Sequence, residues 1–407
     1  MTDRDSGRTA SIDEAVETEV CDAYLRTDSS DDSDMYYVSG FEAPDPFSLL
    51  RTQDETVLLV SPLEYSRAKK ESLADEVRST AEYTTGDIRG SEDAEIEVAA
   101  SFLEEYGVES VCVPRDFFLY SAEALRERGF EVTAVDDGIE GTRAVKTDEE
   151  IRKIKAAQRA NENAMEVAER LLREAEVKDG RLVHDVHQSK IDEPVNQRLT
   201  DGEALTSEKV RTEIEVDLIR AGCDLDESIV ASGEETADPH SRGSGVIREG
   251  EPVIVDIFPR RLKYHADMTR TFVKGEPTDE VREMYEATVR AQEAAFDVLD
   301  EGAGVTGEEV HDAVCESYEE VGYDTERQGA EEGFIHSTGH GVGLDIHEMP
   351  RLSSGGGELE AGHVVSVEPG LYYQDIGGVR VEDLVVVRDD GYDNLTEYEK
   401  GIENLSV

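Results

Sequence analysis

Tryptophan is absent from this sequence of 407 residues, histidine occurs 9 times, cysteine 4 times, and 41 basic residues stand against 96 acidic ones. The formal net charge of -55 disfavours nucleic acid and anionic membranes as partners. No apolar run approaches the roughly 18 residues of a membrane-spanning helix, and Met1–Val20 lacks the apolar segment of a signal peptide. We therefore expect a protein that binds neither nucleic acid nor membranes.

The few cysteines form no recognisable pattern. They are widely separated and include no CxxC pair: Cys21, Cys112, Cys223 and Cys315. A disulfide framework is therefore not expected, and the prediction is buried thiols in a reducing cytoplasm.

The acidic residues are spread along the whole chain, between apolar runs such as "TVLLV", "PVIVD" and "VVSVE". Disordered chains combine a high net charge with few apolar residues, so this distribution indicates a folded body with an acidic surface. Concentrated salt shortens the Debye length to about 3 Å at 1 M, which suppresses repulsion between like charges. The composition therefore predicts a halophilic protein.

The length favours two domains, because a single core rarely serves more than about 250–300 residues. Between Asp22 and Val135, apolar segments alternate with segments of helical pattern, which predicts a small α/β domain with a mixed or parallel sheet. We predict strands at "MYYVSGF", "TVLLVS", "SVCVP" and "FEVTAV", and helices at "PLEYSRAKKESLADEV", "EIEVAASFLEEYG" and "AEALRERG". We expect "RTDSSDDSD" to be an acidic surface loop and "DDGIEGTRAVKTDEE" to join the domains.

The rest of the chain contains signs of an internal repeat. Apolar residues at helical spacing predict long amphipathic helices from Asp148 to Glu176 and from Thr278 to Leu299. The segment "LVHDV" around His184 is echoed by "EVHDA" around His311. These pairs predict two similar halves.

Carboxylates recur at matching places in the two halves. "EGEPVIVD" ends at Asp256 and "AGHVVSVE" ends at Glu368, and a second acid follows each of them, at Asp267 and Glu382. We expect each half to end in a β-hairpin with one acid per strand. A buried carboxylate is costly unless it is paired or bound to a cation, and Arg270 and Arg380 do not suffice for four acids. Divalent metal is the expected compensation.

Two histidines lie in the segment "GHGVGLDIHEMP", His340 and His347. Its alternating glycines disfavour a helix by roughly 1 kcal/mol each, so an extended or irregular run is predicted. One imidazole among several carboxylates suits Mn²⁺, Co²⁺, Fe²⁺ or Zn²⁺. Two such ions roughly 3.5–4 Å apart would hold a bridging water and clamp an attacked carbonyl.

These segments carry a family resemblance. "DIFPRRLKYHADMTRTF", "HSTGHGVGLDIHEMP", "SVEPG" and "VRVEDLVVV", in this order, resemble the pita-bread metallopeptidases, which include methionine aminopeptidase, Xaa-Pro aminopeptidase and prolidase. "DAYLRTDSSDDSDMYYVSGF" resembles the N-terminal domain of the creatinase/prolidase type. The resemblance implies an α/β N-terminal domain at residues 1–143 and an α+β pita-bread catalytic domain with a pseudo-twofold repeat at residues 144–407.

The resemblance also implies roles for individual residues. The implied metal ligands are Asp256, Asp267, His340, Glu368 and Glu382. The implied substrate contacts are His240, His336, His347 and Arg380, and catalytic roles fall to His240, His347 and Glu368, with Glu368 as a proton shuttle. The expected enzyme is a cytoplasmic homodimer with two divalent ions, Mn²⁺ or Co²⁺ before Zn²⁺ or Fe²⁺. Its expected reaction is hydrolysis of the Xaa-Pro bond in dipeptides or at the N-terminus of longer peptides.

Some positions leave alternatives open. The family usually has glycine two residues after its first metal aspartate, and Phe258 here is expected to reshape the pocket wall without removing a ligand. Arg380 could instead pair with Glu382 or Asp383. A non-catalytic homologue or a creatinase-like amidinohydrolase would be expected to lack ligands, and all five are present. The histidines assigned to structure or surface are His184, His187, His265, His311 and His363.

Overall fold

The computed structural model describes residues 7–84, 94–184, 202–225 and 227–400. The chain divides into two units, Met1–Arg143 and Ala144–Val407. Within the described ranges, every helix is too short or too polar to cross a membrane.

The first unit is built on one mixed sheet with strand order β4-β3-β2-β1-β5-β6. Its strands are β1 (Ala23–Asp28), β2 (Phe47–Thr52), β3 (Thr56–Val60), β4 (Glu76–Ser79), β5 (Ser110–Pro114) and β6 (Glu131–Val135). Its helices are α1 (Ala10–Glu19), α2 (Ser33–Ser39), α3 (Tyr65–Glu71), α4 (Thr80–Tyr83), α5 (Ala94–Glu105), α6 (Leu119–Glu127) and α7, which runs to the boundary (Ile139–Ala144). Parallel and antiparallel pairs both occur, so the predicted α/β class is confirmed.

Two predictions of secondary structure in this unit are wrong. The segment "MYYVSGF" was expected to be a strand but lies mainly in α2, because Asp32 caps that helix by accepting from the Met35 N–H at 2.6 Å. Gly40, with φ of 59°, ends it in the left-handed conformation. The long helix predicted from Pro62 is also wrong in extent, since only α3 is helical and β4 begins at Glu76.

The segment "RTDSSDDSD" is not a solvated loop. Arg26 is 4% exposed, and its guanidinium lies 2.8 Å from Asp32 and 3.4 Å from Asp137. Burial raises the pKa of the nearby Asp34 to about 6, against the opposing charge of Arg143. Acids of this segment therefore form ion pairs with a buried cation and are not simply surface charges in contact with water.

A disulfide joins Cys21 to Cys112, so the prediction of separate thiols is wrong for this pair. Their Cα atoms are 5.8 Å apart, although 91 residues separate them along the chain. Strand β5 pairs in parallel with β1, and this brings Cys112 beside the start of β1. Sequence spacing does not reveal such a pairing. Cys223 and Cys315 are buried free thiols, as expected.

The second unit places long helices around several sheets. Its helices are α8 (Asp148–Glu174), α9 (Ser207–Arg220), α10 (Asp279–Leu299) and α11 (Gly307–Glu320). Its strands are β7 (Glu176–Lys178), β8 (Arg181–Val183), β9 (Ser228–Ser232), β10 (Pro252–Ile257), β11 (Arg260–Arg261), β12 (Tyr264–His265), β13 (Met268–Val273), β14 (Gly339–Gly341), β15 (Glu348–Leu352), β16 (Val364–Val367), β17 (Gly370–Tyr373), β18 (Gly377–Arg380), β19 (Asp383–Val387) and β20 (Tyr392–Asn394). The principal sheets have the orders β13-β10-β9 and β15-β14-β16-β19-β20.

The two halves of this unit repeat the same order of elements. Helices α8 and α9 precede strands β9, β10 and β13, and helices α10 and α11 precede β14, β16 and β19. Helices α9 and α11 begin alike, with Thr206 and Thr306 each capping the helix through the side chain. Each half also has its own apolar core. The expected two-domain architecture with an internal repeat is confirmed.

One part of the predicted repeat is wrong. His311 lies inside α11, whereas His184 follows strand β8 and precedes α9. The resemblance of "LVHDV" to "EVHDA" therefore does not mark equivalent positions. The matched capping threonines, Thr206 and Thr306, mark the equivalent helices instead.

Candidate metal centre

The four predicted carboxylates lie where the hairpin strands end. Asp256 is the next-to-last residue of β10, and Asp267 immediately precedes β13. Glu368 follows β16, and Glu382 precedes β19. In the second hairpin the register places Glu368 opposite Glu382. In the first, Asp256 faces Thr269, and Asp267 lies two residues before Thr269.

The two hairpins meet through backbone and side-chain bonds at this point. The N–H of Glu382 donates to the carbonyl oxygen of Thr269 at 3.0 Å. The Thr269 hydroxyl donates to Oε2 of Glu382 at 2.8 Å. This contact between the halves brings acids from both hairpins into one buried cluster, in which Asp256 is 8% exposed, Asp267 5% and Glu382 2%.

His340 on β14 faces the same cluster. Its Nε2 lies 3.2 Å from Oε1 of Glu368 and 3.7 Å from Oδ2 of Asp267. Its Nδ1 lies 3.1 Å from the carbonyl oxygen of Gly341, which can only accept, so Nδ1 carries a proton. This arrangement directs Nε2 at the carboxylates. A metal-binding histidine is usually held in this way, with its second ring nitrogen hydrogen-bonded to another group.

Burial and mutual repulsion oppose ionisation of the acids. Burial raises the pKa of Asp256, and it raises the pKa of Asp267 and Glu382 further because neighbouring carboxylates add to it. Glu368 differs: against the effect of burial, the hydrogen bond and charge of His340 lower its pKa to about 2. Without added positive charge, the cluster cannot hold all of its carboxylates ionised.

A divalent cation fits this donor set. Asp267, His340 and Glu382 each offer a ligand atom, and these atoms lie within 4.8 Å of one another. Among the described residues, no hydrogen-bond donor reaches Oδ1 of Asp256 or Oε1 of Glu382, although both atoms are buried. Buried carboxylate oxygens without donors are the groups that a hard or borderline cation satisfies.

Arg380 contacts the cluster from one side. Its Nη2 donates to Oδ2 of Asp256 at 2.6 Å, and its Nε donates to the Thr269 hydroxyl at 3.1 Å. The alternative pairing of Arg380 with Glu382 or Asp383 is therefore wrong. Asp383 instead binds Arg270 at 2.8 Å, so Arg270 does not compensate the four acids.

His336 is joined to Arg380 through a tyrosine. Nη1 of Arg380 donates to the Tyr372 hydroxyl at 2.9 Å, and that hydroxyl lies 3.0 Å from Nε2 of His336. Nδ1 of His336 lies 2.7 Å from the carbonyl oxygen of Ser337. The Tyr372 hydroxyl therefore donates to a neutral His336, whose pKa burial lowers.

His347 and His240 are more exposed than the metal-ligand candidates. The ring of His347 packs edge-on against that of His340, with centroids 4.3 Å apart. Burial, and secondarily the charge of His340, lowers the pKa of His347. His240 has its N–H bonded to Asp238 and acts electrostatically on both His336 and His347. The predicted substrate-contacting histidines thus lie near one another.

The glycine-rich segment is extended, as predicted, and its glycines are needed for close packing. A Cβ at Gly339 would overlap the carbonyl oxygen of Ser366, and one at Gly341 would overlap that of Met349. Ser366 and Met349 belong to the adjacent strands β16 and β15, so the glycines allow β14 to pack between these two strands. At Gly343 the obstacle would be the carboxylate of Glu348, which forms a buried ion pair with Lys146 at 2.5 Å.

Sequence reasoning missed Thr269 and Tyr372. Thr269 is two residues after Asp267 and Tyr372 four residues after Glu368, so strand alternation puts each on the face of its acid. That period of two is the signal that could have found them. Four of the other histidines are buried: His184, His265, His311 and His363. His187 lies outside the described residues.

Comparisons with known proteins agree with this architecture. Residues 152–389 match the model of metallopeptidase family M24, and residues 8–145 match that of the creatinase/prolidase N-terminal domain. The Xaa-Pro dipeptidase of Pyrococcus furiosus is 31% identical over 371 residues, which are 90% of this chain and 91% of that protein. The Xaa-Pro dipeptidase of Pyrococcus horikoshii is 29% identical over 372 residues, with 90% and 91% covered.

Solved structures give the same result. The prolidase from Pyrococcus horikoshii OT3 superposes with a TM-score of 0.76 at 27% identity, covering 97% of this chain and 99% of that one. A Xaa-Pro dipeptidase from Bacillus anthracis gives a TM-score of 0.78 at 25% identity, with 98% and 99% covered. The fold and site thus define a two-domain metallopeptidase. The chain belongs to metallopeptidase family M24, with a creatinase/prolidase-type N-terminal domain.

Proposed function

We propose that the protein is a Xaa-Pro dipeptidase, which hydrolyses the bond between an N-terminal residue and proline. The observation that carries this proposal is the convergence of four acids and His340 from two repeated hairpins. The names of the relatives, Xaa-Pro dipeptidase and prolidase, support the same reaction. A non-catalytic role or a creatinase-like reaction has no comparable support.

The proposed cofactor is a pair of divalent ions, Mn²⁺ or Co²⁺ in preference to Zn²⁺ or Fe²⁺. The residues that would hold them are Asp256, Asp267, His340, Glu368 and Glu382. When bound, such ions would polarise the peptide carbonyl and lower the pKa of the attacking water.

The chain's own residues have separate tasks in this proposal. Glu368 would take a proton from the attacking water and return it to the proline nitrogen as the bond breaks. His240 and His347 would donate hydrogen bonds to the developing negative charge on the carbonyl oxygen. His336 and Arg380 would bind the substrate, with Tyr372 fixing the His336 ring through its hydroxyl.

A second candidate is removal of the N-terminal residue from longer Xaa-Pro peptides. An X-Pro aminopeptidase from Thermotoga maritima, with a TM-score of 0.74 at 26% identity, favours it. We further propose that the protein is a cytoplasmic homodimer. We also propose that it is adapted to concentrated salt, and the net charge of -55 supports this adaptation. Sedimentation at high salt tests the dimer.

Hydrolysis of Ala-Pro, Ala-Pro-Ala and Met-Ala-Ser tests the function. The purified protein is assayed at high salt with each metal in turn, after removal of bound metal. A dipeptidase is expected to cleave Ala-Pro far faster than the others, and an aminopeptidase to cleave Ala-Pro-Ala. Cleavage of neither Xaa-Pro peptide with any of the metals would contradict the proposal.

A further inference from the structure

Phe258 occupies a particular place in the first hairpin. The pairing of β10 with β13 and that of β11 with β12 follow one unbroken register. Between them the Ala266 N–H donates to the carbonyl oxygen of Pro259 at 3.0 Å in that same register. Phe258, next to Pro259, therefore lies directly opposite Asp267.

Phe258 and Asp267 form the closer of the two kinds of residue pair in an antiparallel ladder. Hydrogen-bonded and non-hydrogen-bonded pairs alternate along an antiparallel ladder, and Pro259 with Ala266 is the hydrogen-bonded one. The pair of Phe258 and Asp267 is thus non-hydrogen-bonded, a class with Cα atoms about 4.5 Å apart and side chains in close contact. The ring lies beside one of the proposed metal ligands.

The side chain of Phe258 also points to the site. Val253, Val255 and Ile257 pack into the apolar core, so the intervening positions face the opposite way. Asp256 is on that other face, and Phe258, two residues later, shares it. Phe258 is only half-buried, which leaves part of its ring accessible on the face that carries Asp256.

The second hairpin is built differently at the corresponding place. Gly370 there lies opposite Arg380, and a Cβ at Gly370 would overlap the Tyr372 hydroxyl. The side chains of Arg380 and Tyr372 fill that side of the site. In the first hairpin, Phe258 has the corresponding position, and its larger side chain is on the face of Asp256.

The charges of the site orient a dipeptide within it. Asp267 is opposite Phe258 and Asp256 is on the same face, whereas three basic groups come from the second half of the unit: His347, which packs on His340, and Arg380 and His336, which are joined through Tyr372. A dipeptide has a cationic amine at one end and an anionic carboxylate at the other. A dipeptide whose amine approaches the carboxylates beside Phe258, and whose carboxylate approaches these basic groups, has its N-terminal residue against Phe258.

We propose that the ring of Phe258 forms a wall of the pocket for the residue before proline and restricts that residue to small side chains. This inference rests on the proposed function, because it names the substrate class of the same site. Phe258 is a substrate-contacting residue in it, and the ligands of the metal are unchanged.

The test compares kcat/KM for Ala-Pro, Leu-Pro and Phe-Pro in the metal-loaded protein and its variants. Phe258→Ala is expected to raise the ratio of Phe-Pro to Ala-Pro by about tenfold or more, because a few methylenes of pocket space have effects of that size. Phe258→Leu keeps most of the volume and is expected to raise it less. Phe296→Ala is the matched control, since Phe296 is equally half-buried but stacks on Tyr392, away from the acids.

The outcomes are distinguishable. If Phe258→Ala still hydrolyses Ala-Pro and its ratio of kcat/KM for Phe-Pro to that for Ala-Pro equals the wild-type ratio, this inference is overturned. The proposed function then stays intact. An equal rise of the ratio in Phe296→Ala would overturn it too. If no protein in the set hydrolyses Ala-Pro, the proposed function fails, and the inference fails with it.

Discussion

At the residue scale, hydrogen bonds at both its ring and its backbone hold His340 in one orientation. Nδ1 is bonded to the Gly341 carbonyl oxygen, and its main-chain N–H donates to the Ser366 hydroxyl at 3.1 Å. Nε2 therefore points only at the acids. We expect His340→Ala to remove a metal ligand and to lower turnover by at least about a thousandfold, since transition-state charge stabilisation of several kcal/mol is lost.

Metal content by mass spectrometry and the unfolding temperature separate this effect from misfolding. His347→Ala is the matched control, since that ring packs against His340 and is more exposed. It is expected to keep the metal and to lose activity only in part. Full metal content and full activity in His340→Ala would refute the assigned role.

The Tyr372 hydroxyl is the second residue-scale test. It accepts from Arg380 and donates to Nε2 of His336, and burial raises its pKa to about 12, so it stays protonated at neutral pH. Tyr372→Phe removes both bonds without changing the ring. Hydrogen bonds that involve a charged group contribute about 1.5–3 kcal/mol, so kcat/KM is expected to fall by roughly ten- to a hundredfold.

The same substitution at the next residue provides the control for Tyr372→Phe. Tyr373 lies outside the chain of bonds from Arg380 to His336, so Tyr373→Phe is expected to leave kcat/KM close to the wild-type value. Equal losses in the two variants would indicate a general effect on strand β17 instead.

At the element scale, the long helices were predictable and the register of the hairpins was not. Helix α8 matches its predicted span to within two residues because a continuous apolar stripe and a Thr147 capping box define it. The strand predicted at "MYYVSGF" failed because a local cap at Asp32 outweighed β propensity. Periodicity within one segment puts Thr269 and Tyr372 on the faces of Asp267 and Glu368, but it does not show their bonds to residues of other strands.

A buried ion pair ties the segment of His347 to the start of helix α8. Lys146, which precedes the cap of α8, and Glu348, which begins β15, are each 1% exposed in the side chain. Lys146→Met leaves a buried carboxylate without its cation, and breaking such a pair costs about 3–5 kcal/mol. The free energy of unfolding, measured by denaturant titration, is expected to fall by that amount.

The double variant Lys146→Met with Glu348→Gln is expected to recover much of the loss, because it removes the second charge as well. Lys153→Met is the control, since Lys153 is on the same helix, is half-buried, and its ammonium lies 5.1 Å from the centre of the Tyr264 ring. A double variant no more stable than Lys146→Met would show that the charges do not stabilise each other.

At the scale of the whole molecule, the net charge of -55 opposes the compact state through self-repulsion. Raising KCl from 0.1 M to 1 M shortens the Debye length from about 10 Å to about 3 Å, so repulsion between surface carboxylates falls. The unfolding temperature, followed by circular dichroism, is therefore expected to rise steeply over this range. Sucrose of equal osmolarity leaves the charges unscreened and should raise it much less. An equal rise in sucrose would mean that solvent exclusion, and not screening, stabilises this acidic surface.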